Sequence, residues 1–276
     1  MLSIGVPTYN RPKNLLRAIK SVQQQTFQNW ELIISDDKSN GIENIDYLTE
    51  LLNSDNRIRV FFQTENIGVK ENYFFVLKKA KGEYFTWLSD DDYYHSDDYL
   101  QALMHEITEG YDFVFPKLNK IIKTQNGYKQ LKNRDLQLSI KKRYSSHLQL
   151  IIRGYLGYQV MYGLFNIQIL KNSIHLFLNQ KDPDEGALTH FCLAKYNWFM
   201  VENVYYIKDM TDAHLFRSPF LVSLKEKFNH LISVINTIYT IENYSFSKRI
   251  LLIFLFLFRI IYIILYLIVF KSRNFK

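Results

Sequence analysis

"KGEYFTWLSDDD", residues 81–92, runs from aromatic and aliphatic residues straight into three consecutive aspartates. The part from 83 to 88 is rich in aromatic and β-branched residues and bounded by turn signals, which predicts a strand. Unpaired neighbouring carboxylates repel one another and gain nothing from burial, so three of them at a strand end need a reason. A divalent cation supplies one. Mg²⁺ and Mn²⁺ take oxygen ligands, need only one or two carboxylates, and complete their shell with water and substrate phosphate. Solvated loop acids are the plain alternative. Asp97 and Asp98 need no such reason, because with Ser96 they read as an N-cap and first helical turn.

Working outward, "LSIGVP" (strand at 2–6), "WELIIS" (30–35), "IRVFF" (58–62) and "DFVF" (112–115) have the same strand character. Between them lie "NLLRAIKSVQQQ", "IDYLTELLNS", "VKENYFFVLKKAK" and "DDYLQALMHEIT", with apolar residues recurring at three and four, as at Leu15, Ile19 and Val22. Strand and helix in alternation predict an α/β fold, a doubly wound and mostly parallel sheet. Ligands of such sheets bind beyond the carboxyl ends of the strands. The first four strands are followed by "PTYNRP", "DDKSN", "QTENIGVKEN" and "DDDYY", so acidic and amide residues converge on one edge.

The formal charge of +7 does not point to nucleic acid. Residues 245–276 hold Lys248, Arg249, Arg259, Lys271, Arg273 and Lys276 with no acid, which leaves 28 basic against 27 acidic groups in residues 1–244. A single cysteine, Cys192, excludes an intramolecular disulfide and has no zinc-ligand spacing around it. It reads as core, within an apolar helical stretch. The N-terminal "MLSIGVPTYNRPKN" lacks the basic segment and long apolar run of a signal peptide, so a reducing, non-exported setting is expected.

Beyond residue 116 the alternation lapses. "NG" at 126–127 predicts a hairpin or loop excursion. Helix is expected at 145–153 and 184–195, strand across "YQVMYGLF" at 158–165, and an amphipathic helix at 219–241 with Asn229, Ser233, Asn236, Thr237 and Thr240 on its polar side.

"IGVPTYNRPKNLLRAIKSVQQQTFQNWELIISDDKSN", "NIGVKEN" and "KGEYFTWLSDDD" together resemble the family 2 glycosyltransferases of GT-A fold, in order and spacing, over about residues 1–115. The resemblance implies that Asp90, Asp91 and Asp92 are a DXD-type motif, in which Mn²⁺ or Mg²⁺ bridges carboxylates to the diphosphate of a nucleotide sugar and offsets their repulsion. It implies that Pro7, Thr8 and Tyr9 border the nucleotide, that Asp37 hydrogen-bonds the base with Asp36 beside it, and that Asn66, Gly68 and Asn72 lie near it. An Asx turn and a tight glycine turn are the structural alternatives for these last two groups. "DDKSN" departs mildly from relatives that carry Gly or Ala before the Ser.

Inverting members need a base for the acceptor hydroxyl. The resemblance directs attention to "DPDEGALTHFCLA", where Asp184 matches best, in a "D-x-G-x-L"-like arrangement, and Glu185 is the rival; both also suit a helix N-terminus. His214, in "YYIKDMTDAHLFRS", matches a position near the metal or diphosphate. The implied organisation is a nucleotide-sugar half at 1–115, an acceptor and catalytic half at 116–218, and C-terminal helices at 219–276.

"ILLIFLFLFRIIYIILYLIVF", residues 250–270, is apolar but for Arg259, Tyr262 and Tyr266. As a helix it would reach roughly 31 Å, about a bilayer's hydrocarbon thickness, and its apolar residues outweigh one Arg at about +3 kcal/mol. A membrane-associating, spanning segment is expected, with interfacial attachment the alternative. The expectation is therefore an enzyme on the cytoplasmic side of the inner membrane. It would pass sugar from a nucleotide diphosphate sugar to a polyprenyl-linked glycan of a bacterial surface polysaccharide, beside membrane lipid and without nucleic acid. A non-catalytic, nucleotide-sugar-binding scaffold is the alternative from another class. A nucleotidyltransferase would carry a Gly-rich basic loop that "GVPTYNRP" does not provide.

Overall fold

The computed structural model describes residues 1–40, 46, 50, 54–116, 120–124, 127–131, 158–174, 185–201, 206–209, 232, 235–239, 241, 242, 244–255, 257, 258 and 261. The helices expected at 45–54 and 219–241 lie mostly, and that at 145–153 wholly, outside these residues. Thr237, expected on a polar side, is buried.

Seven strands form the main sheet: β1 (Leu2–Thr8), β2 (Trp30–Asp36), β3 (Ile58–Phe62), β4 (Tyr84–Trp87), β6 (Phe113–Pro116), β9 (Leu164–Asn166) and β10 (Trp198–Val201). Their order is β10-β6-β9-β4-β1-β2-β3. β1 lies parallel to β2 and β4, β2 to β3, and β10 to β6. Among the described residues, β9 is the one strand of this sheet that runs antiparallel, wedged between β4 and β6. A smaller sheet combines β5 (Asp92–Tyr94), β7 (Lys120–Thr124), β8 (Gly127–Leu131) and β11 (Tyr206–Asp209) in the order β5-β11-β7-β8. The expected hairpin is the β7–β8 pair, with Gly127 in the left-handed region at φ 102°.

Apolar side chains alternate along β1, and each face finds its own cover. On one side Leu2, Ile4 and Val6, with Leu32 and Ile34, join α1 (Pro12–Gln23) through Leu15, Ile19 and Val22, and join α3 (Tyr99–Thr108) through Leu100, Leu103 and Ile107. On the other side Ile33, Phe85 and Trp87 pack with Val76 and Leu77 of α2 (Gly68–Lys79) and with Leu188, Cys192 and Leu193 of α6 (Glu185–Lys195). Cys192 is core, as expected, and burial pushes its thiol pKa up. Gly5 admits this packing, since a Cβ there would stand 2.6 Å from Val76 Cγ2 and 2.7 Å from Phe85 Cζ.

Two sequence expectations change. The strand expected at 158–165 is a short helix, α4 (Tyr158–Met161), followed by a turn and then β9, itself followed by α5 (Ile167–Ser173). Gly163 makes the turn possible, because a Cβ there would sit 2.2 Å from the Val114 carbonyl oxygen. α3 begins at Tyr99 with Asp98 at its N-cap and no side-chain cap from it. Gln25 does that work instead: its Oε1 accepts from the Leu100 N–H at 2.9 Å and its Nε2 donates to the Ser96 carbonyl at 2.7 Å. Among the described residues, no helix is long and apolar enough to cross a membrane.

Candidate functional site

Parallel register brings the ends of β1, β2 and β4 side by side, Thr8 opposite Asp36 and Gly5 opposite Trp87. The chain leaves β4 through Leu88, whose N–H is held by the Gly5 carbonyl at 3.0 Å. It thereby delivers Asp90 beside Thr8, whose hydroxyl donates to Asp90 Oδ2 at 2.8 Å. Arg11, at the N-cap of α1, reaches back over the same edge. One of its nitrogens donates to Asp90 Oδ1 at 3.1 Å and to Asp91 Oδ2 at 2.9 Å. Arg17, in the second turn of α1, donates to the main-chain carbonyl of Asp91 at 3.0 Å.

Asp90 is 5% exposed. Burial is the main cause that raises its pKa to about 6; the charge of Arg11 opposes this, Asp91 adds to it, and the Thr8 hydrogen bond opposes it. Asp91 is half-buried. Asp92 goes another way: it begins β5, is fully buried, and its carboxylate accepts a hydrogen bond from the Tyr162 hydroxyl. Among the described residues, no three His, Cys, Asp or Glu side chains stand together as a metal cage. Two oxygen-bearing side chains, Asp90 and Asp91, instead converge on one guanidinium, which occupies the position a cation would take between them. That donor set suits a hard divalent ion that keeps most of its shell for water and phosphate.

The second strand end is built from turns. The Asp36 carboxylate accepts from the Ser39 N–H at 3.0 Å and from the Ser39 hydroxyl. Ser39 in turn accepts from the Asn10 N–H at 2.7 Å, and Asn10 accepts from the Asn40 N–H at 2.7 Å. Lys38, just before Ser39, has φ 59°, the left-handed backbone that glycine adopts without cost. Asp37 is buried, and its two oxygens accept from the Ile67 and Gly68 N–H groups at 2.6 and 3.0 Å, pinning the start of α2. Gly68, at φ 85°, needs its lack of a side chain there. The Asn66 side chain donates to the Asp37 carbonyl at 3.3 Å, and Asn72, buried, donates to the Ser35 carbonyl at 3.1 Å. Pro7 is buried in β1, while Tyr9 is 44% exposed beside these loops.

Pro7, Thr8, Tyr9, Asp36, Asp37, Asn66, Gly68, Asn72, Asp90 and Asp91 thus gather at one edge, and Asp92 stands behind it. Asp184 and His214 lie outside the described residues, and Glu185 is the first residue of α6. Sequence reasoning gave no role to Arg11, Arg17 or Tyr162. A basic residue within four positions of Thr8, in a loop already facing acids, was the available signal for Arg11; nothing in the sequence links Tyr162 to Asp92.

The sequence profile of Glycosyl transferase family 2 matches residues 3–174. The chain belongs to that family. It is a family 2 glycosyltransferase, and the non-catalytic alternative is not favoured. Over 115 residues it is 41% identical to the GalNAc(5)-diNAcBac-PP-undecaprenol beta-1,3-glucosyltransferase of Campylobacter jejuni, a match covering 41% of this chain and 37% of that enzyme. Among solved structures it resembles S. aureus TarS 1–349 in complex with UDP-GlcNAc, with TM-score 0.68 and 18% identity over 93% of this chain and 71% of that one. It also resembles the mannosyltransferase PcManGT from Pyrobaculum calidifontis in complex with GDP-Man and Mn²⁺, with TM-score 0.57 and 11% identity over 88% and 64%. At these identities the structures establish the shared fold, the mostly parallel α/β sheet of GT-A glycosyltransferases.

Proposed function

We propose that this family 2 glycosyltransferase moves a sugar from a nucleotide diphosphate sugar to a membrane-linked glycan in bacterial surface polysaccharide biosynthesis, with inversion and with a divalent cation. The observation that carries the donor reading is the Asp90–Asp91 pair at the end of β4, held against Thr8 and Arg11 from the end of β1. Asp90 and Asp91 would hold Mn²⁺ or Mg²⁺, which when bound supplies charge neutralisation to a departing diphosphate. His214 is proposed beside it.

The chain's own residues do the remaining work. Thr8 fixes the Asp90 rotamer, so its second oxygen keeps one direction. Asp37 holds the turn that presents Asn66 and starts α2. Tyr9 offers an exposed ring at this edge, on which a planar base can stack. Asp92, through Tyr162, ties the acidic loop to the segment before β9 and so fixes the position of its two neighbours. Residues 1–115 are the donor half and 116–218 the acceptor half, where Asp184, with Glu185 as its rival, takes the proton from the acceptor hydroxyl.

The acceptor reading rests on the Campylobacter relative, whose name specifies an undecaprenol-linked substrate, and on the apolar segment at 250–270. Together they support work at a membrane surface, and we place it on the cytoplasmic face. The test is a screen of nucleotide sugars for Mn²⁺-dependent turnover with and without a polyprenyl-linked acceptor. Asp184→Ala should lower turnover about a hundredfold or more while donor binding is kept. Full activity in both Asp184→Ala and Glu185→Ala would remove the base from this segment.

A further inference from the structure

Residues 246–255 are helical, and the turn positions at 257, 258 and 261 continue in the same state. One side of this helix is packed. Leu252 is fully buried, and with Ile253 and Leu255 it meets Ala194 of α6 and Ile238, Ile241 and Tyr244. Arg249 staples the helix to the chain before it, donating to the carbonyls of Tyr244 and Tyr239 at 2.9 Å each. A helix fastened sideways to the globular body over these turns does not leave that body to cross a bilayer there.

The other side is open, and its composition is unusual. Phe246, Ile250, Leu251, Phe254, Phe258 and Ile261 are all exposed, Phe246 to 70% and Phe258 to 64%. At about 100° per residue they fall within one arc of roughly 140°, in which Ser247 is the sole polar position. Soluble surfaces scatter single apolar side chains, whereas a contiguous rank of aromatic and aliphatic ones marks a surface that is covered.

Charge decides between the possible covers. Lys248 is exposed on this helix, and residues 245–276 carry six basic side chains and no acid. A second copy of the chain would bring like charge against like charge. An anionic phospholipid surface brings the complement, since basic residues close to it are attracted by its negative potential. We propose that the face Phe246–Ile250–Leu251–Phe254–Phe258–Ile261 lies in the headgroup and upper acyl region of an anionic bilayer, so that this helix is an in-plane lipid-docking element. The face shares no residue with the strand-end site. It gives the expected membrane attachment a specific face and a headgroup charge, and replaces a span by in-plane insertion over these residues.

The test places an environment-sensitive fluorophore on Phe254→Cys or Phe258→Cys in the full chain; Cys192, buried, does not compete for the label. Vesicles of phosphatidylglycerol and phosphatidylethanolamine are compared with phosphatidylcholine alone. Both labels should shift to the blue on the anionic vesicles, with shallow brominated lipids quenching better than deep ones, consistent with burial about 5–10 Å below the surface. Half-saturation should need at least tenfold less lipid than with phosphatidylcholine. No shift at either position while the chain sediments with vesicles would overturn the proposal, since attachment would then use other residues. A concentration-dependent shift without lipid would overturn it in favour of a second copy, and equal response to both vesicle types would overturn the charge argument. Mn²⁺-dependent nucleotide binding, followed on the same labelled protein, reports the donor site separately, so failure of either reading leaves the other measurable.

Discussion

Thr8 and Asp90 lie 82 residues apart in the chain and 2.8 Å apart in space. That contact follows from the parallel pairing of β4 with β1, which sets the last residue of β1 beside the loop that leaves β4. Its result is a carboxyl group almost wholly removed from water but still within reach of Arg11 and Asp91.

Asp90 makes the metal-free protein sensitive to pH. The folded chain keeps the Asp90 proton up to about pH 6, whereas an unfolded aspartate releases it near its ordinary value of 3.8. Asp90 therefore supports folding fully below that ordinary value, and its contribution is lost as pH rises through about 6. The swing is on the order of 3 kcal/mol, at about 1.4 kcal/mol per unit. Urea unfolding of the wild type and Asp90→Asn without metal should show the wild type losing stability relative to the variant between pH 4 and 7. A difference that stays flat with pH would contradict this.

Arg11 and a divalent cation compete for the same two carboxylates. Replacing Arg11 by Gln should raise the affinity for Mn²⁺ alone, without nucleotide, by about tenfold, the equivalent of about 1.4 kcal/mol of relieved charge repulsion and competition. Titration calorimetry with Mn²⁺ reads this directly. Unchanged or weaker binding would mean that the cation does not sit between Asp90 and Asp91.

Gly163→Ala should destabilise the fold by more than about 2 kcal/mol, because the added Cβ meets main-chain atoms that have no rotamer to give. Thermal unfolding of the variant checks it. A loss below about 0.5 kcal/mol would mean that the turn before β9 relaxes freely.

Much of this architecture is legible in the chain because local signals and burial agree. β1 to β4 and β6 are short apolar runs that end in polar turns, and the helices that cover them repeat apolar residues at three and four. Strand-end residues such as Thr8, Asp37, Asp90 and Asp91 can be found for the same reason: the fold sends all of them to one edge. β9 could not be read so easily. "YQVMYGLF" has strand composition throughout, yet Gly163 divides it, because its close approach to the Val114 carbonyl ends α4 and lets three residues enter the sheet antiparallel. Nor could the separate fate of Asp92, which depends on Tyr162, 70 residues away. The C-terminal segment reads as a span by hydropathy alone, and most of it lies outside the described residues. The packing of Leu252 with Ala194 and Ile238 is a tertiary fact that no window of residues contains.

The central claim is that Asp90 and Asp91 hold a divalent cation that binds a nucleoside diphosphate. The most direct measurement is calorimetric titration of uridine and guanosine diphosphates, the nucleotide parts of the donors bound by the structural relatives, with Mn²⁺ or with EDTA, into the wild type, Asp90→Asn and Asp91→Asn. The wild type should bind one of them at least tenfold more tightly with Mn²⁺, and each variant should lose that gain while unfolding at or above the wild-type temperature at pH 7. Mn²⁺-dependent affinity that survives unchanged in both variants would contradict the account.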